Sequence, residues 1–270
     1  MRLPRVVVFN LDVIIASDVI IESLDYIAVE IVQKTDVMGK DKDTNVKDDH
    51  NRDEAYTLGA PEQHVAYYDA WAETYDDDFL KAEGYAAPYH VAKRLHQIIT
   101  ENDNPSTDIT PVADIGCGTG AVGNSLAQLG ANPGAPITLD GFDISTGMLG
   151  VAAKTGHYRG LHQADFTKAQ PLHENSYGAI VSSGTFTLGH LGPDDLWRAL
   201  SLGRHDALGL ISINAAHFEE NGFMRAFQDW QSRGMITPPV FHDIGLYFNS
   251  DAATTTNTDG ILAEFRVIKP

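Results

Sequence analysis

The segment VADIGCGTG, Val112 to Gly120, ends an apolar run with three closely spaced glycines. Glycine loses more conformational freedom on folding than any other residue, so a cluster after a strand indicates a tight turn or a close approach by another group. In a doubly wound sheet, the turn after the first strand lies where ligands bind, with the amides of the next helix directed at them. The segment therefore predicts a ligand-binding loop.

Strand-like and helix-like segments alternate after residue 108. The candidate strands are Ile109–Ile115, Ile137–Phe142, Gly160–Ala164, Gly178–Ser182, Leu208–Ile213, Val240–Phe248 and Ile261–Ile268, with helices from Ala121, Thr146, Pro193 and Phe218 and a short one after Phe166. This alternation predicts an α/β fold, a Rossmann-like doubly wound sheet of seven mostly parallel strands. Only the loop DAATTTNTDG joins the last two strands, which predicts a C-terminal antiparallel hairpin.

The chain divides into three parts. Residues 1–60 form an extension, with a strand and a helix over Arg5–Gln33, and a polar linker in which charges of both signs replace large apolar residues. Apolar residues at helical spacing predict N-terminal helices in a lid segment, 61–107, and the alternating segments form a ligand-binding domain, 108–270. The extension could pack on its own sheet, be dispensable, or exchange with a second subunit to form a homodimer.

Composition excludes several functions. A formal charge of −18 without a basic patch disfavours nucleic acid as a partner. Cys117 is the single cysteine, which excludes an intrachain disulfide and a thiolate metal cage and fits a cytoplasmic location. Neither a membrane span nor a tight histidine spacing typical of a metal site is found, so we expect no membrane and no metal.

Two cofactor classes fit the glycine loop. Gly118, Gly120 and Gly123 form G-x-G-x-x-G with Asp143 downstream, a weak dinucleotide pattern. The form Asp-x-Gly-x-Gly-x-Gly, which begins at Asp114, resembles the first motif of class I S-adenosylmethionine-dependent methyltransferases. An acid at that position can receive the amino group of S-adenosylmethionine, directly or through water, but would repel a pyrophosphate. This charge argument favours S-adenosylmethionine.

Later segments supply further candidate cofactor contacts. Asp143 closes the second strand, where its carboxylate can accept hydrogen bonds from both ribose hydroxyls, and Asp165 follows the third, where it can accept from the adenine amino group. Taken singly, each acid is typical of a surface residue or a helix cap; acids closing three successive strands favour a site. The complete candidate set is Tyr75, Asp114, Gly116, Cys117, Gly118, Gly120, Asp143, Ile144, Met148, Asp165, Phe166 and Ser182.

A narrower resemblance covers Glu62 to Pro270. The segments YDAWAETYDDD, YGAIVSSGTFTLGHLGPD, LISINAAHFEENGF and YFNSD resemble the methyltransferase-like family from the Williams–Beuren syndrome region and its bacterial relatives. The resemblance implies that the helices before the first strand lie over the cofactor, with Trp71, Tyr75 and Tyr85 lining a lid. Plain core packing is the alternative for each of these aromatic residues.

The resemblance implies methyl transfer to a small-molecule acceptor, an in-line displacement that needs alignment and exclusion of water. His190 is the candidate general base, with Thr185 and Thr187 as neighbours; the alternative is that it borders the helix beginning near Pro193. A non-catalytic module that binds S-adenosylmethionine or S-adenosylhomocysteine is the alternative function. An NAD-dependent oxidoreductase is a third interpretation.

Overall fold

A computed structural model describes residues 52–55, 57–101, 109–130, 137–169, 175–248 and 258–269. All of them belong to one compact unit, Asp43–Pro270. The predicted strand and helix within Arg5–Gln33, and the homodimer contact through them, lie outside the described residues.

The sheet confirms the predicted fold class. Its strands are β1 (Val112–Ile115), β2 (Leu139–Asp143), β3 (Tyr158–Gln163), β4 (Tyr177–Phe186), β5 (Gly203–Asn214), β6 (Val240–Ile244) and β7 (Gly260–Val267), in the order β3-β2-β1-β4-β5-β7-β6. Strands β1 to β5 pair in parallel, and β7 runs antiparallel to both β5 and β6. The predicted hairpin therefore joins the sheet through its second strand.

The described helices are α1 (Arg52–Ala55), α2 (Pro61–Trp71), a π-helix (Asp76–Lys81), α3 (Ala87–Glu101), α4 (Ala121–Gln128), α5 (Thr146–Thr155), α6 (Pro193–Leu200), α7 (Ala215–Glu220) and α8 (Phe223–Ser232). The predicted helix after Phe166 is wrong for the described residues there, because that segment begins as a turn. The single helix expected near Phe218 is two helices, which the left-handed Gly222 separates at φ 75°.

The core lies on both faces of the sheet. Ile180 belongs to the cluster covered by α6, α7 and α8, whereas its neighbour Val181 belongs to the cluster covered by α3 and α4. Successive side chains of a strand point to opposite faces, so a strand buried on both faces is apolar throughout. This burial explains the continuous apolar start of β4.

The chain reverses direction across the sheet at β1. It proceeds outward through β2 and β3 and then returns to the other side of β1 as β4. The loops that leave the carboxyl ends of β1 and β4 therefore separate, and such a switch point opens the crevice in which doubly wound proteins bind ligands. The glycine loop begins here, directly after Ile115.

Candidate functional site

A cavity of about 250 Å³ lies at the carboxyl edge of the sheet, between the glycine loop and the helices that precede β1. Its lining combines main chain from the glycine loop, the carboxylates that follow β2 and β3, the loop after β4, and aromatic and imidazole rings from the lid segment. The lining residues include His64, Tyr68, Tyr75, Tyr85, Gly116, Cys117, Gly118, Asp143, Ile144, Met148, Asp165, Phe166, Ser183 and His190.

The glycines of the loop serve different purposes. A Cβ on Gly116 would stand 1.9 Å from Thr185 Oγ1, so the missing side chain makes room for this threonine. A Cβ on Gly120 would stand 3.1 Å from the ring of Tyr158, and Gly120 is not among the cavity-lining residues. Gly118, at φ +53°, has open space where its Cβ would be. Of these three glycines, Gly118 is the one that presents bare main chain to open space.

Asp143 faces the cavity at the end of β2. Its Oδ2 accepts a hydrogen bond from the Gly118 amide at 2.9 Å, and its Oδ1 accepts from the Ser145 amide at 2.9 Å. Burial raises the pKa of this carboxyl, and hydrogen bonds from main-chain amides offset part of the rise. A carboxylate has about four acceptor positions. Two therefore remain for hydroxyl groups of a ligand.

Asp114 lies beneath the loop and not in the cavity wall. It is fully buried, and its Oδ2 accepts from the Tyr158 hydroxyl at 2.7 Å, whereas Oδ1 has no hydrogen-bond partner among the described residues. Burial raises its pKa to about 7, although the Tyr158 hydrogen bond acts in the opposite direction. A buried oxygen without a partner is costly unless a ligand or water satisfies it.

The predicted apolar cover and the second acid also line the cavity. Ile144, Met148 and Phe166 contribute apolar surface, and Met148 and Phe166 are almost fully buried. Asp165 accepts from the Thr167 amide at 3.0 Å and from Lys168 Nζ at 2.7 Å. Burial alone would raise the pKa of Asp165, but these hydrogen bonds outweigh it and hold the pKa below its usual range. Asp165 therefore faces the cavity as a carboxylate.

Ser182 is a correction to the predicted site. Its hydroxyl is completely buried and donates to the Ile115 carbonyl at 2.8 Å, so it joins β4 to β1 and does not line the cavity. The next residue, Ser183, lines the cavity, and its Oγ has no hydrogen-bond partner in the described chain. Adjacent strand residues point in opposite directions, so an error of one position moves a side chain to the other face.

Polar contacts fasten the lid segment to the sheet. Asp69 Oδ1 on α2 accepts from Ser145 Oγ at 2.5 Å and from the Gly147 amide at 2.7 Å, both at the start of α5. Thr119 of the glycine loop donates to Asp76 Oδ1 at 2.5 Å. A carboxylate at a helix N-terminus is stabilised by the helix dipole. These contacts hold the aromatic residues of the lid over the cavity.

The structure separates the three aromatic residues predicted for the lid. Tyr75 and Tyr85 line the main cavity, but Trp71 does not: it is 2% exposed and lines an adjoining pocket of about 40 Å³. Its ring packs edge-on against Tyr75, with centroids 4.8 Å apart. Trp71 therefore supports Tyr75 from behind, in agreement with the alternative of core packing.

His190 lies in the cavity wall, as predicted, and Tyr68 accompanies it. His190 Nε2 is 2.9 Å from the Tyr68 hydroxyl, and Nδ1 is 2.9 Å from the Leu188 carbonyl. Burial, and to a smaller extent the neighbouring His64 and His217, lower the pKa of His190 to about 4, although the hydrogen bond with the Leu188 carbonyl acts in the opposite direction. Tyr68 was not among the predicted site residues, because a contact between residues 122 positions apart leaves no local signal in the sequence.

The described residues contain no group of three or more His, Cys, Asp or Glu side chains placed to hold a metal ion. In the same part of the chain, no helix has the length and apolar character needed to cross a membrane.

Comparison with known proteins supports the cofactor class that the glycine loop predicted. Residues 112–203 match the family model of the methyltransferase domain. This segment is a methyltransferase domain, and its fold is that of the class I methyltransferases. A search of curated proteins found no match.

Solved structures share the fold of this methyltransferase domain at low sequence identity. Magnesium protoporphyrin IX methyltransferase from Synechocystis PCC 6803, solved with bound S-adenosylmethionine, is 15% identical at a TM-score of 0.52, covering 84% of this chain and 100% of that one. A chain from the Haloferax volcanii complex of the Trm112 activator and a methyltransferase is 15% identical at 0.51, covering 75% and 98%. The CurJ carbon methyltransferase is 14% identical at 0.51, covering 78% of this chain but 61% of that one.

S-adenosylmethionine is the cofactor of this class, and the methyltransferase domain fits it. Bare main chain at Gly118, spare acceptor positions on Asp143 and the unpartnered Oδ1 of Asp114 suit a nucleoside that carries an ammonium and a sulfonium. No lysine or arginine is among the described residues that line the cavity, so a pyrophosphate would find no cation there. The same cavity is therefore poorly suited to a dinucleotide.

Proposed function

We propose that this protein transfers a methyl group from S-adenosylmethionine to a small-molecule acceptor. The observation that carries the proposal is that one cavity has two kinds of lining. Gly118 and Asp143 offer the polar features that a nucleoside needs, whereas Tyr68 and His190 offer a hydroxyl and an imidazole that a nucleoside does not need. We infer that Tyr68 and His190 contact the second substrate, the methyl acceptor.

Several lining residues, together with Asp114 below the loop, have roles in the proposed cofactor site. Asp143 accepts hydrogen bonds from the ribose hydroxyls. The main-chain amides of Gly118 and Ser145 fix its carboxylate in place and leave its other acceptor positions for the ribose. Asp165 accepts from the adenine amino group, and Ile144, Met148 and Phe166 cover the adenine ring. Cys117, Gly116 and Tyr75 complete the wall by shape. Asp114 acts from below the loop on the amino group of the cofactor.

The chain contributes alignment and exclusion of water. The bound cofactor supplies a methyl carbon that its sulfonium already activates, so the protein has to hold the acceptor in line with that carbon. The lid contacts of Asp69 and Asp76 keep aromatic rings over the cavity, which limits the entry of water. Burial of the site therefore strengthens every polar contact within it.

A small acceptor fits the proposal better than a macromolecule. The cavity measures about 250 Å³ and is roofed by the lid segment. The chain has a formal charge of −18, which opposes binding to nucleic acid. The finer resemblance to the Williams–Beuren region family, the homodimer and the cytoplasmic location remain predictions.

Calorimetric titration with S-adenosylmethionine, S-adenosylhomocysteine and NADH tests the proposal. We expect heat at sub-millimolar concentrations of the first two ligands and none with NADH. Transfer of a radiolabelled methyl group to a panel of small metabolites then separates an enzyme from a binding module. Heat without transfer to any metabolite would favour the binding module, and the absence of heat would reject both functions.

A further inference from the structure

Tyr68 and His190 form a hydrogen-bonded pair in the cavity wall. The imidazole is held at both nitrogens, by the Leu188 carbonyl at Nδ1 and by the Tyr68 hydroxyl at Nε2, each at 2.9 Å. A carbonyl oxygen can only accept a hydrogen bond, so Nδ1 carries the proton. In a neutral ring Nε2 is then an acceptor, and the Tyr68 hydroxyl must donate to it. The Tyr68 hydroxyl proton is therefore donated to His190 and is not available to another acceptor.

This orientation fixes the polarity of the Tyr68 oxygen. Because its proton is donated to His190, any further hydrogen bond at Tyr68 Oη is one that this oxygen accepts. The pKa of His190 is lowered to about 4, first by burial and then by His64 and His217, so the ring stays neutral at physiological pH. Among the described residues, the titratable groups that face it include His64, whose ring centroid is 4.7 Å away, His217 and Tyr68 itself.

Of the three carboxylates among the described residues that line the cavity, two are paired with cations, and the third, Asp143, accepts from main-chain amides and is assigned to the ribose hydroxyls. Asp195 Oδ1 accepts from Arg198 Nη1 at 2.6 Å, and Asp165 accepts from Lys168 Nζ at 2.7 Å. No lysine or arginine lines the described cavity, and Tyr68, Tyr75 and Tyr85 add aromatic surface. An anionic acceptor would therefore have no counter-ion in the cavity. A cationic acceptor would lie beside the positively charged sulfonium, with no unassigned carboxylate to compensate its charge. A neutral molecule fits best.

We propose that Tyr68 and His190 select a neutral, hydroxyl-bearing acceptor and take its proton, Tyr68 as the hydrogen-bond acceptor and His190 as the final base. This inference rests on the proposed function. As the acceptor oxygen forms its bond to the methyl carbon, the carbon–sulfur bond breaks and its electron pair stays on sulfur. The hydroxyl proton moves to Tyr68 Oη while the Tyr68 proton moves to His190 Nε2.

The low basicity of His190 is sufficient for this step. A hydroxyl oxygen that has gained a methyl group without losing its proton is a protonated ether, a very strong acid, so even a weakly basic imidazole takes the proton from it. The cavity also keeps its charge, because the imidazolium that forms replaces the positive charge lost at sulfur. Charge separation in a buried site is costly, and this exchange avoids it.

The tautomer of His190 is tested in the cofactor-free protein. Nitrogen NMR of ¹⁵N-histidine-labelled protein, with His190→Gln to assign the signals, reports which ring nitrogen carries a proton. We expect a proton on Nδ1 alone between pH 6 and 8. A proton on Nε2, or a doubly protonated ring at pH 7, would overturn the orientation of Tyr68.

The selection is tested by binding probes to the complex with S-adenosylhomocysteine. Phenol, anisole, benzoate and benzylammonium have similar size but differ in charge and in the presence of a neutral hydroxyl donor. We expect phenol to bind roughly fivefold more tightly than anisole, the worth of one hydrogen bond, and the two ions to bind more weakly than phenol. The shifts of the His190 ring signals locate the probe.

Tyr68→Phe and Tyr67→Phe are the matched variants for this experiment. Tyr67 lies beside Tyr68 on α2, but its hydroxyl contacts Glu54 and it does not line the cavity. We expect Tyr68→Phe to lose the preference for phenol over anisole and Tyr67→Phe to keep it, with unchanged affinity for S-adenosylhomocysteine in both. An equal preference in Tyr68→Phe, or tighter binding of either ion, refutes the inference and leaves the cofactor site intact. If the unaltered protein does not bind S-adenosylhomocysteine, the proposed function is refuted instead.

Discussion

Gly147 lies so close to Asp69 that a Cβ on the glycine would stand 2.9 Å from the Asp69 Cα. The lid helix α2 and the first turn of α5 therefore meet main chain to main chain, and the Asp69 carboxylate accepts from the Gly147 amide at 2.7 Å. The contact places α2 beside the start of α5, two residues after Asp143, since Asp69 also accepts from Ser145.

Gly147→Ala should displace the lid. The added methyl group meets backbone, which cannot move aside as a flexible side chain can, so we expect a loss of about 1–3 kcal/mol in the free energy of unfolding. Cofactor affinity should fall as well, because Tyr75 and Tyr85 lose their position over the cavity. Denaturant unfolding and calorimetry measure the two effects.

Gly150→Ala is the control in the same helix. No atom lies within 4 Å of the position of its Cβ, and alanine is the better helix former, so this change should stabilise by about 0.5–1 kcal/mol. If the two alanine variants changed the free energy of unfolding equally, α2 would not pack on α5 as described.

Alanine substitutions at Gly116 and Gly118 should separate packing from binding. In Gly116→Ala the methyl group would overlap Thr185, at 1.9 Å, so we expect a loss of about 2–4 kcal/mol in stability from overpacking and left-handed strain. In Gly118→Ala nothing obstructs the methyl group, and the strain at φ +53° costs about 1 kcal/mol. The Gly118 variant should instead lose cofactor affinity, because its methyl group occupies open space in the cavity. Thermal unfolding measures the loss of stability, and calorimetry measures the loss of cofactor affinity. If Gly118→Ala mainly lost stability and Gly116→Ala mainly lost affinity, the loop would be misassigned.

Asp114→Asn should make the cofactor-free protein more stable at pH 8. The pKa of Asp114 is raised from 3.8 to about 7, so between these values the folded state holds a proton that the unfolded state has released. The contribution of this group to stability therefore falls as pH rises from about 4 to about 7. Removing the charge should gain up to about 4 kcal/mol at pH 8 and nothing near pH 4, as measured by urea unfolding at both values.

The same substitution should weaken binding of S-adenosylmethionine. A cationic ligand favours the ionised carboxylate, so in the unaltered protein affinity should rise between pH 6 and 8, and binding at pH 6 should release a proton. Calorimetry in buffers of different ionisation enthalpy measures that release. Proton release that persists in Asp114→Asn would assign the titration to another group.

Sequence patterning accounts for the sheet but not for every wall of the cavity. The glycine loop, Asp143 and Asp165 follow strand ends, and strand ends can be located from local apolar runs. Ser183 was missed in favour of Ser182 because the face of a strand residue depends on exact register, and β4 shifts register against β5 after Ser182. Tyr158 was missed because its contacts with Asp114 in β1 and Gly123 in α4 arise from the tertiary packing of β3 against these two elements.

The lid shows the same limit. Helical spacing identified α2 and its aromatic residues, yet it could not tell that Trp71 faces the core and Tyr68 the cavity. These two residues are close along one helix, and the side that each presents depends on how α2 docks on α5. That docking depends on the contacts of Asp69 with Ser145 and Gly147, which lie 76 and 78 positions away along the chain and leave no local signal.

The most direct test of the central claim is a calorimetric titration of Asp143→Asn with S-adenosylmethionine. The variant keeps the size of the side chain but replaces acceptor positions with donors, which would face the ribose hydroxyls and the amides of Gly118 and Ser145. Asp243→Asn, an exposed position on β6, is the control. We predict at least a tenfold loss of affinity for Asp143→Asn and none for Asp243→Asn. An unchanged affinity in Asp143→Asn would contradict the account.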